Sequence, residues 1–509
     1  MSIGESKTWT RRILSLMVVY ILSCSAGIAQ KAPEEVTAIE NVTVISPERQ
    51  APLLHATVVI ADGRISQVGR RLAITSNIKR IDGRGKFLIP GLIDSHVHVG
   101  DIPMLDDEAL AAHPELAQAY RAQVPRSYLA FGFTTLVDLN LLSSTLSWFA
   151  SAPLHPELFH CGPAVRVAGG YGALQIPKNS AEADAKNLVY EPAQAKDWPA
   201  TLDNQNYTPA RAVYRVVAAG GICVKTFVEP GFGGARHWPV PSNATLDALR
   251  AETRRRGLVL VIHANADDTW RTALQAHADV IAHGLWHWPG DRLGTVPPQA
   301  ARDVIHDVAT AQVAVQPTLQ SVYGDESIFD DSLLNDPRLK ESLPAVLISH
   351  LRTPEAQTSR AATANEYRQM IFQLLGSSAP APPVVMSIAP QRATATLRIM
   401  VAENVKLLFG SDTPSNEGIG NPPGLNGRME MTRWADADVP LPRILRAATM
   451  DNAKQFGLWA DLGSIEVGKR ANLLLLRADP LKAINAFDSI ETVFLDGKPI
   501  PRSSLLPVN

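Results

Sequence analysis

The sequence predicts an α/β fold, a (β/α)8 barrel of the TIM type with a small β-sandwich domain built from both chain ends. The chain has 509 residues. A single hydrophobic core stops growing near roughly 250–300 residues, so we expect more than one domain. The middle of the chain alternates apolar strands with polar loops and helices, whereas both ends carry short β-branched runs between turn signals.

The composition is that of an ordinary globular protein with ample core. Hydrophobic residues make up 46% of the chain and charged residues 19%, and the formal net charge is −2. Such a balance provides no basic field for nucleic acid. We therefore expect a small-molecule substrate and no nucleic-acid partner, and the sequence leaves open whether copies of the chain form a homo-oligomer.

Residues 1–29 have the order of an export signal. Arg11 and Arg12 precede an apolar run over 13–22, and small residues follow up to Ala29. The apolar run is too short to span a bilayer comfortably. We therefore predict a signal peptide cleaved after Ala29, a periplasmic or secreted mature protein, and no stable membrane span after cleavage.

Two other export routes fit the same segment. Arg11 and Arg12 resemble a twin-arginine signal. The sequence before Cys24 resembles a lipoprotein box, which would leave the protein lipid-anchored through Cys24. After cleavage only Cys161 and Cys223 remain, and two cysteines do not make a disulfide framework. The sequence favours two small buried residues there and does not decide whether they pair.

The predicted sandwich comes from two separate segments. Its first part, 30–86, holds β-branched runs at 43–45 and 57–60 that are separated by Asp-Gly turns, which indicates antiparallel strands. Its second part, 460–509, returns to the same pattern after the predicted barrel over 87–459. We expect the two parts to pair beside the barrel.

The barrel is predicted from repeated strand–loop–helix units. We place its strands near 88–98, 134–139, 164–167, 222–228, 258–263, 280–283, 313–319 and 406–412. Helices are expected at 210–219, 244–256, 269–277 and 443–455, with start and stop signals such as Ser-Asn before the second and Gly after it. Two long interruptions, 175–208 and 323–390, are expected to lie as inserts over the barrel mouth.

The first barrel strand ends in the pattern His96-Val97-His98. Side chains of a strand alternate between its faces, so the imidazoles of His96 and His98 point into one small volume, as two ligands of one divalent metal must. Taken alone, the pattern fits two ordinary histidines equally well.

Further polar residues close the apolar runs of other barrel strands. Lys225 lies on strand 4, His263 on strand 5, His283 on strand 6 and Asp412 on strand 8. Chemistry in such barrels lies at the carboxyl ends of the strands. With the two histidines of strand 1, six such residues at the ends of the right strands are hard to explain as packing.

These residues lie in motifs that resemble the amidohydrolase superfamily. The motifs are PGLIDSHVH, VKT, IHA, IAHG, FGSDTP, AATMDNAKQFGL and LGSIEVGKRANLLLL. The resemblance covers essentially the whole mature chain. It implies a metal-dependent hydrolase with a barrel and a companion β domain. The strand-4 lysine is similar to that of the binuclear branch near prolidase-like and imidazolonepropionase-related hydrolases.

The resemblance also implies roles for the six residues. His96, His98 and Asp412 would hold one divalent metal and His263 and His283 the other, and we expect both metals to be zinc. Imidazole and carboxylate groups are good zinc ligands. A lysine ammonium is not, so Lys225 would bridge the two metals as a carbamate formed with carbon dioxide. A salt bridge of Lys225, or a site with a single metal, is the alternative.

The implied chemistry is attack of a metal-activated hydroxide on a carbonyl carbon. Asp412 would accept the proton of the water and pass it to the leaving group, which makes it the catalytic residue. Thr318, near the end of strand 7, could support a ligand, and is equally well an ordinary strand threonine.

The substrate is less defined than the metal site. Tyr171, His237 and Trp286 lie in loops after the strands, and an apolar or aromatic substrate group would suit them. Tyr171 replaces a histidine that prolidase-like relatives carry in a GGH motif. Arg236 and Arg428 could clamp a substrate carboxylate.

Three functions follow from these residues. The first is hydrolysis of an amide or peptide C–N bond, as in a dipeptide or an N-acyl amino acid. The second is an ester, lactone or organophosphate hydrolase that uses the same binuclear site. The third is a non-catalytic exported binding protein, which would predict a missing ligand, whereas all six are present.

Overall fold

The two β-rich ends of the chain share one sheet in the computed structural model. The structure describes residues 36–74, 78–102, 105, 107–173, 179–196, 198–231, 237–414 and 418–508, so the predicted signal peptide and Cys24 lie outside the described residues. The eight-stranded sheet runs in the order Lys498–Pro501, Ile490–Leu495, Leu473–Leu476, Phe87–Pro90, Thr37–Val44, Leu53–Ala61 and Arg64–Arg70, with Lys79–Asp82 also paired to Thr37–Val44. The expected pairing of the two ends is thus present within a single sheet, and the two-layered sandwich stays a prediction.

The predicted first barrel strand, 88–98, is wrong as a single strand. Phe87–Pro90 pairs with both chain ends in the eight-stranded sheet, and Leu92–Val97 begins a different, parallel sheet. The break falls at Gly91, where an added Cβ would lie 2.0 Å from the Thr134 Oγ1 atom. The chain passes so close to its neighbour here that only glycine fits, and this contact is invisible to hydrophobic periodicity.

Two parallel sheets carry the middle of the chain. One has three strands, Leu92–Val97, Phe133–Asp138 and Glu157–His160. The other has five, Cys223–Phe227, Val259–His263, Val280–Ala282, Ala314–Gln316 and Lys406–Leu407. Nearly all of their residues are buried, as expected of parallel strands that are covered on both faces.

The predicted third barrel strand, 164–167, is also wrong. The strand that pairs with Phe133–Asp138 is Glu157–His160, whereas Arg166–Val167 forms a separate two-stranded sheet with Leu188–Val189. A proline directly before Glu157 and the shortness of the strand hide it from a search for apolar runs.

Backbone hydrogen bonds connect the two parallel sheets at their outer strands. The Asp412 N–H donates to the His96 carbonyl at 2.7 Å, and the Ile222 N–H donates to the His160 carbonyl at 2.8 Å. A disulfide bond between Cys161 and Cys223 lies beside the second connection. The two cysteines therefore pair, which the sequence did not decide.

Helices separate the strands of the parallel sheets. The α-helices are Asp107–Ala112, Pro114–Ala130, Ser143–Ala150, Ser180–Ala185, Pro209–Ala218, Asn243–Arg256, Asp267–Gln275, Gln299–Thr310, Leu319–Gly324, Leu339–Ser342, Ala345–His350, Pro354–Leu375, Pro382–Met386, Ile388–Ala402, Leu425–Asp436, Leu441–Arg446 and Asn452–Gln455. A π-helical segment, Ala447–Asp451, joins the last two. Short 3-10 helices are Pro192–Gln194, Asn204–Asn206, Asp325–Ile328, Ser332–Asn335, Ile484–Ser489 and Arg502–Ser504.

The helix Asn243–Arg256 shows why such predictions succeed. The Ser242 Oγ accepts the N–H of Thr245 at its start, and Gly257 ends it in the left-handed conformation at φ 67°.

The predicted insert 323–390 is helical throughout much of its length. Glu35–Asn509 forms one compact unit. Among the described residues, no helix combines the length and the apolar character needed to cross a membrane.

Candidate metal centre

Three of the predicted ligands meet at the end of the Leu92–Val97 strand. The Nε2 atoms of His96 and His98 each lie 3.1 Å from the Asp412 Oδ1 atom. Ligand atoms of these three side chains lie within 4.8 Å of one another, close enough to share one cation. The backbone fixes this approach, because the Asp412 N–H bonds the His96 carbonyl and the His98 N–H bonds the Thr413 carbonyl at 2.6 Å.

A buried carboxylate, Asp94, locks the same two segments together. Its Oδ1 accepts the N–H groups of Ser411 at 3.0 Å and of His96 at 3.2 Å, and its Oδ2 accepts the Ser411 hydroxyl at 2.5 Å. Burial raises the pKa of Asp94 to about 7 against these hydrogen bonds. Asp94 therefore positions the backbone of His96 and that of Ser411, which directly precedes Asp412.

His263 and His283 extend the cluster from the five-stranded sheet. Their ring centroids are 4.4 Å apart, and the His283 ring is 5.0 Å from that of His96. The His283 Nδ1 atom lies 2.9 Å from the Thr318 Oγ1 atom and 3.7 Å from the Asp412 Oδ2 atom. Thr318 thus contacts a candidate ligand directly, which suits the supporting role considered for it.

Lys225 lies inside the molecule on the same strand face as Cys223. Only 2% of the residue is exposed. Burial lowers the pKa of Lys225 to about 7, and the Arg166 guanidinium adds to this effect while the Asp412 carboxylate opposes it. Near pH 7 the Lys225 amine is therefore neutral in a substantial fraction of the molecules, whereas an exposed lysine is almost entirely protonated.

The electrostatics favour ligands that are ready to bind a cation. Burial lowers the pKa of His96 to about 3 and holds the pKa of His283 well below 6.5. Burial also lowers the pKa of His263, to which the Lys225 charge contributes. These imidazoles are neutral at pH 7 and offer free lone pairs. Burial would raise the pKa of Asp412, but the neighbouring histidines outweigh it and hold the pKa well below 3.8.

The histidine at the edge of the cluster behaves differently. Burial lowers the pKa of His98, but the hydrogen bond and charge of Asp412 outweigh it and leave the pKa above 6.5. Protonation of His98 would offset the negative charge of Asp412, so a cation that binds here competes with a proton for the His98 imidazole.

Unsatisfied polar atoms show that the cluster fits a metal. The Nε2 atoms of His96 and His263 are buried and make no well-formed hydrogen bond, although the Asp412 Oδ1 atom lies 3.1 Å from the first and the Glu229 Oε2 atom 3.6 Å from the second. Buried polar atoms are nearly always satisfied, so a missing ion or ligand is the expected explanation. Imidazole nitrogens and carboxylate oxygens are the donors that zinc takes in proteins. His96, His98 and Asp412 could hold one metal, and His263 and His283 could hold a second.

Sequence reasoning missed one buried carboxylate at this centre. The Glu229 Oε2 atom lies 3.6 Å from the His263 Nε2 atom, and its Oε1 accepts the Gly231 N–H at 2.8 Å. Glu229 is only 2% exposed. It follows Lys225 by four residues, so alternation continued past the end of the strand would have placed both on one side.

Only some of the residues predicted to contact the substrate lie beside the candidate ligands. The Tyr171 ring centroid lies 5.0 Å from that of His263, and Trp286 lies 5.9 Å from His283, so both flank the ligands. His237 is exposed, and its ring contacts Trp238 at 6.4 Å. Arg236 lies outside the described residues.

Arg428, considered as a clamp for a substrate carboxylate, is engaged within the fold. Its Nε and Nη2 atoms both bond Asp488 at 2.8 Å, and the residue is only 4% exposed. The bidentate geometry that suits a substrate carboxylate is therefore used to hold the helix Leu425–Asp436 against the chain end.

A second group of potential ligands lies on the surface. His113, His350 and Glu355 bring ligand atoms within 4.8 Å of one another. The group sits where the helices Pro114–Ala130 and Pro354–Leu375 begin. The positive ends of two helix dipoles oppose a cation there. An ion pair between His113 and Glu355, with 3.1 Å between Nε2 and Oε1, accounts for the arrangement.

Comparison with known proteins agrees with this geometry. A model of the amidohydrolase family matches residues 87–500. A dihydroorotase of Trichlorobacter lovleyi is 35% identical over 79 residues, and this match covers 16% of this chain and only 16% of that relative. The similarity to curated relatives is thus confined to a small part of their length.

Two solved structures are similar over almost the whole chain. A Xaa-Pro dipeptidase with bound methionine has a TM-score of 0.61 at 20% identity, covering 92% of this chain and 100% of that one. A prolidase complexed with N-methylphosphonate-L-proline has a TM-score of 0.63 at 22% identity, with the same coverage of both chains. At such identities the likeness concerns the fold. The family match over residues 87–500 shows that this chain belongs to the amidohydrolase family of metal-dependent hydrolases.

Proposed function

We propose that the protein is an exported binuclear amidohydrolase that cleaves an amide or peptide C–N bond, as in a dipeptide or an N-acyl amino acid. The observation that carries the proposal is the convergence of His96, His98, His263, His283 and Asp412, together with the buried Lys225, at the ends of the parallel strands. No packing requirement gathers four buried or half-buried histidines, two of which have unsatisfied Nε2 atoms, around a carboxylate.

The proposed scaffold is a closed (β/α)8 barrel. Hydrogen bonds connect the two parallel sheets on both sides. The alternation of strand residues between an inner and an outer face also supports closure. Apolar residues on or directly after seven strands contact one another in a separate buried cluster, which contains Val137, Leu139, Cys161, Cys223, Val261, Val280, Ala282, Ala314 and Leu408. Their neighbours in sequence, such as Val224 and Ile262, pack toward the helices in another cluster. An inward and an outward face on each strand are what a barrel requires.

Each side chain has a distinct proposed task. Two divalent cations, zinc in our proposal, would supply a Lewis acid that polarises the scissile carbonyl and lowers the pKa of a water. Asp412, whose low pKa keeps it ionised, would accept the proton and deliver it to the leaving nitrogen. Thr318 holds His283 through Nδ1, and Glu229 approaches His263, so both fix the orientation of a ligand.

Lys225 is proposed to act as a carbamate. Its buried neutral amine would attack carbon dioxide, an N–C bond would form, and one proton would leave to water. The product is an anion, which can bridge two cations where an ammonium would repel them. The alternative is a site with one metal and an unmodified Lys225. Carbon-13 NMR of protein equilibrated with labelled bicarbonate separates the two, because only the carbamate gives a new protein-bound signal that is lost in Lys225→Ala.

An oxidising compartment is part of the proposal. The Cys161–Cys223 disulfide is typical of exported proteins and rare in the cytosol. Together with the predicted signal peptide it supports a periplasmic or secreted enzyme, and a lipid anchor through Cys24 is the alternative. Fractionation of cells, with and without Cys24→Ala, would distinguish the soluble from the anchored form.

The decisive experiment joins metal analysis to a substrate panel. Purified protein would be analysed for bound metal and assayed against dipeptides, N-acyl amino acids, lactones and phosphotriesters. We expect two metal ions per chain and turnover of the amides. Turnover confined to lactones or phosphotriesters would favour the alternative function. A fully metal-loaded protein that binds ligands from the panel but turns over none of them would support the binding-protein reading.

A further inference from the structure

A large apolar cavity lies next to the metal centre. Its volume is about 580 Å³, within the range of roughly 300–1,000 Å³ that is usual for small-molecule sites. One wall is formed by the loops after the Val259–His263 and Val280–Ala282 strands, including Trp286 and Trp288. The opposite wall is the helical insert, with apolar side chains that include Ile371 and Leu374.

The cavity begins at residues that adjoin the candidate ligands. Asn265 lines it two residues after His263, and Trp286 lines it with its ring centroid 5.9 Å from that of His283. Gly231, whose N–H bonds Glu229, lines it as well. A substrate with its scissile bond at the metal centre would therefore have one end directed at this cavity.

The cavity is preformed by contacts between its walls. The Arg392 guanidinium lies 4.1 Å above the Trp288 ring centroid. Its Nε and Nη2 atoms donate to the carbonyls of Gly294 and Asp291, both at 2.7 Å, and Nη1 donates to that of Trp286 at 3.3 Å. Each of the three guanidinium nitrogens thus donates one hydrogen bond within the fold, and this buried cation holds the walls together.

A few polar and charged residues interrupt the apolar walls. The Asn265 Oδ1 atom is buried with almost no accessible surface, and the Asn265 backbone carbonyl accepts the N–H groups of Trp286 and His287, both at 3.0 Å. Asp267, Asp268 and Arg292 also line the cavity. The walls are thus mainly apolar, with charged side chains among their lining.

We propose that this cavity is the subsite for a bulky apolar group of the substrate, an aromatic ring system or a medium-length alkyl chain attached to the amide. The inference rests on the proposed amide hydrolysis and specifies its substrate class. It predicts an enzyme that discriminates by apolar bulk on one side of the scissile bond.

The test fills the cavity from the insert. Leu374 projects into it, whereas the adjacent Gln373 is exposed and does not line it. The assays compare N-acetyl with N-(2-naphthoyl) derivatives of one amino acid, and glycine amide with naphthylamide leaving groups. In Leu374→Trp we expect the kcat/KM ratio of the bulky to the small substrate to fall at least tenfold in one of the two series, mainly through KM. Gln373→Trp, the matched control, keeps the wild-type ratio.

A second variant and a binding assay provide independent checks of the subsite. Met370→Trp narrows the cavity at its rim and is expected to change the ratio in the same direction if Leu374→Trp fails to fold. Fluorescence titration with N-dansyl-L-phenylalanine, which has no amide to cleave, reports binding to metal-loaded protein. We expect Leu374→Trp to weaken this binding at least tenfold and Gln373→Trp to leave it unchanged.

The outcomes separate the two proposals. Amide turnover with an unchanged ratio in both series and both variants would overturn the subsite and leave the proposed function standing. Absence of amide turnover together with dansyl binding that Leu374→Trp weakens would support the subsite while the proposed function fails.

Discussion

Asp412 has an unusual backbone conformation, and of the carboxylates at the centre its own contacts the most candidate ligands. Its φ of 59° is in the left-handed region, and this geometry turns Oδ1 toward His96 and His98. Asparagine tolerates that conformation as well as aspartate does. The substitution Asp412→Asn therefore tests the charge and proton affinity of the residue while keeping its backbone.

We expect Asp412→Asn to lower kcat by about 10²- to 10⁴-fold, the usual contribution of a general base, while the protein still folds. Asp438 also has a left-handed backbone, at φ 64°, but pairs with Arg398 on the surface. Asp438→Asn is thus the matched control and should retain wild-type turnover. Kinetic assays of both variants measure kcat, and circular dichroism shows whether they fold. A kcat of Asp412→Asn within threefold of the wild type would rule out its proposed role.

Glu430 is a buried carboxyl that should make stability depend on pH. Its oxygens accept the N–H groups of Leu319 at 2.9 Å and Gln320 at 2.5 Å, and Trp434 Nε1 donates at 2.7 Å. Burial nevertheless raises the pKa of Glu430 from 4.5 to about 7. Between these two values the unfolded carboxyl is ionised and the folded one is protonated, so the unfolded state gains relative stability as the pH rises.

The free energy of unfolding should therefore fall between pH 4.5 and pH 7 by at most roughly 3 kcal/mol on account of this group. In Glu430→Gln this part of the slope disappears, although the variant is less stable overall because an amide N–H then faces a backbone N–H. Urea unfolding at pH 5 and pH 8 measures the slope. The control Glu366→Gln, at an exposed position, should keep the wild-type slope. A wild-type slope in Glu430→Gln as well would contradict the role of Glu430.

At the scale of strands and helices, the disulfide connects two parts of the site. Cys223 begins the Cys223–Phe227 strand that carries Lys225, and Cys161 follows the Glu157–His160 strand. The bond therefore closes a loop of chain between the three-stranded and five-stranded sheets, and its two cysteines have a sequence separation of 62.

Removing the disulfide in the Cys161→Ala, Cys223→Ala double variant should cost roughly 4 kcal/mol of unfolding free energy, because a loop of this length restricts the unfolded chain. Denaturation with and without dithiothreitol measures the loss. The reductant should lower the midpoint of the wild type toward that of the double variant and leave the double variant unchanged. Equal midpoints of oxidised wild type and double variant would contradict the prediction.

The elements that the sequence predicts well are those governed by local signals. Caps and glycine fix the helix Asn243–Arg256, and uninterrupted apolar runs mark the strands that end in His263 and His283. The errors have long-range causes. Phe87–Pro90 leaves the parallel sheet because it pairs with Leu473–Leu476, nearly 400 residues away, and Glu157–His160 is recognised only through its neighbour Phe133–Asp138.

The candidate site follows the same rule. Residues such as Lys225 and His263 could be predicted because each closes an apolar run of the sequence, and chemistry in folds of this type lies toward the carboxyl ends of the strands. The side of Glu229 follows from alternation, but its contact with His263 and the cavity beside Asn265 depend on loops and on the helical insert folding back over the strands.

At the scale of the whole molecule, the candidate ligands come from both parallel sheets. His96 and His98 belong to the three-stranded sheet, and His263 and His283 to the five-stranded one. Bound cations would thus hold the two sheets together, and they would bind only the folded chain. A ligand of the folded state stabilises it by mass action, by about 4 kcal/mol at a free concentration 1,000 times Kd.

Removal of metal should therefore destabilise the entire fold and not only abolish activity. We expect dialysis against a chelator to lower the thermal midpoint by several degrees, since a few kcal/mol are spread over the unfolding of a large domain. Added zinc should restore both the midpoint and the metal content, measured by calorimetry and by elemental analysis. In Asp412→Asn the zinc-induced rise should be smaller, because one shared carboxylate is lost, whereas Asp438→Asn should respond like the wild type. A midpoint that is unchanged by chelation in protein shown to have lost its metal would mean that the ligand cluster is held by the surrounding fold alone, and that the cations contribute chemistry without stability.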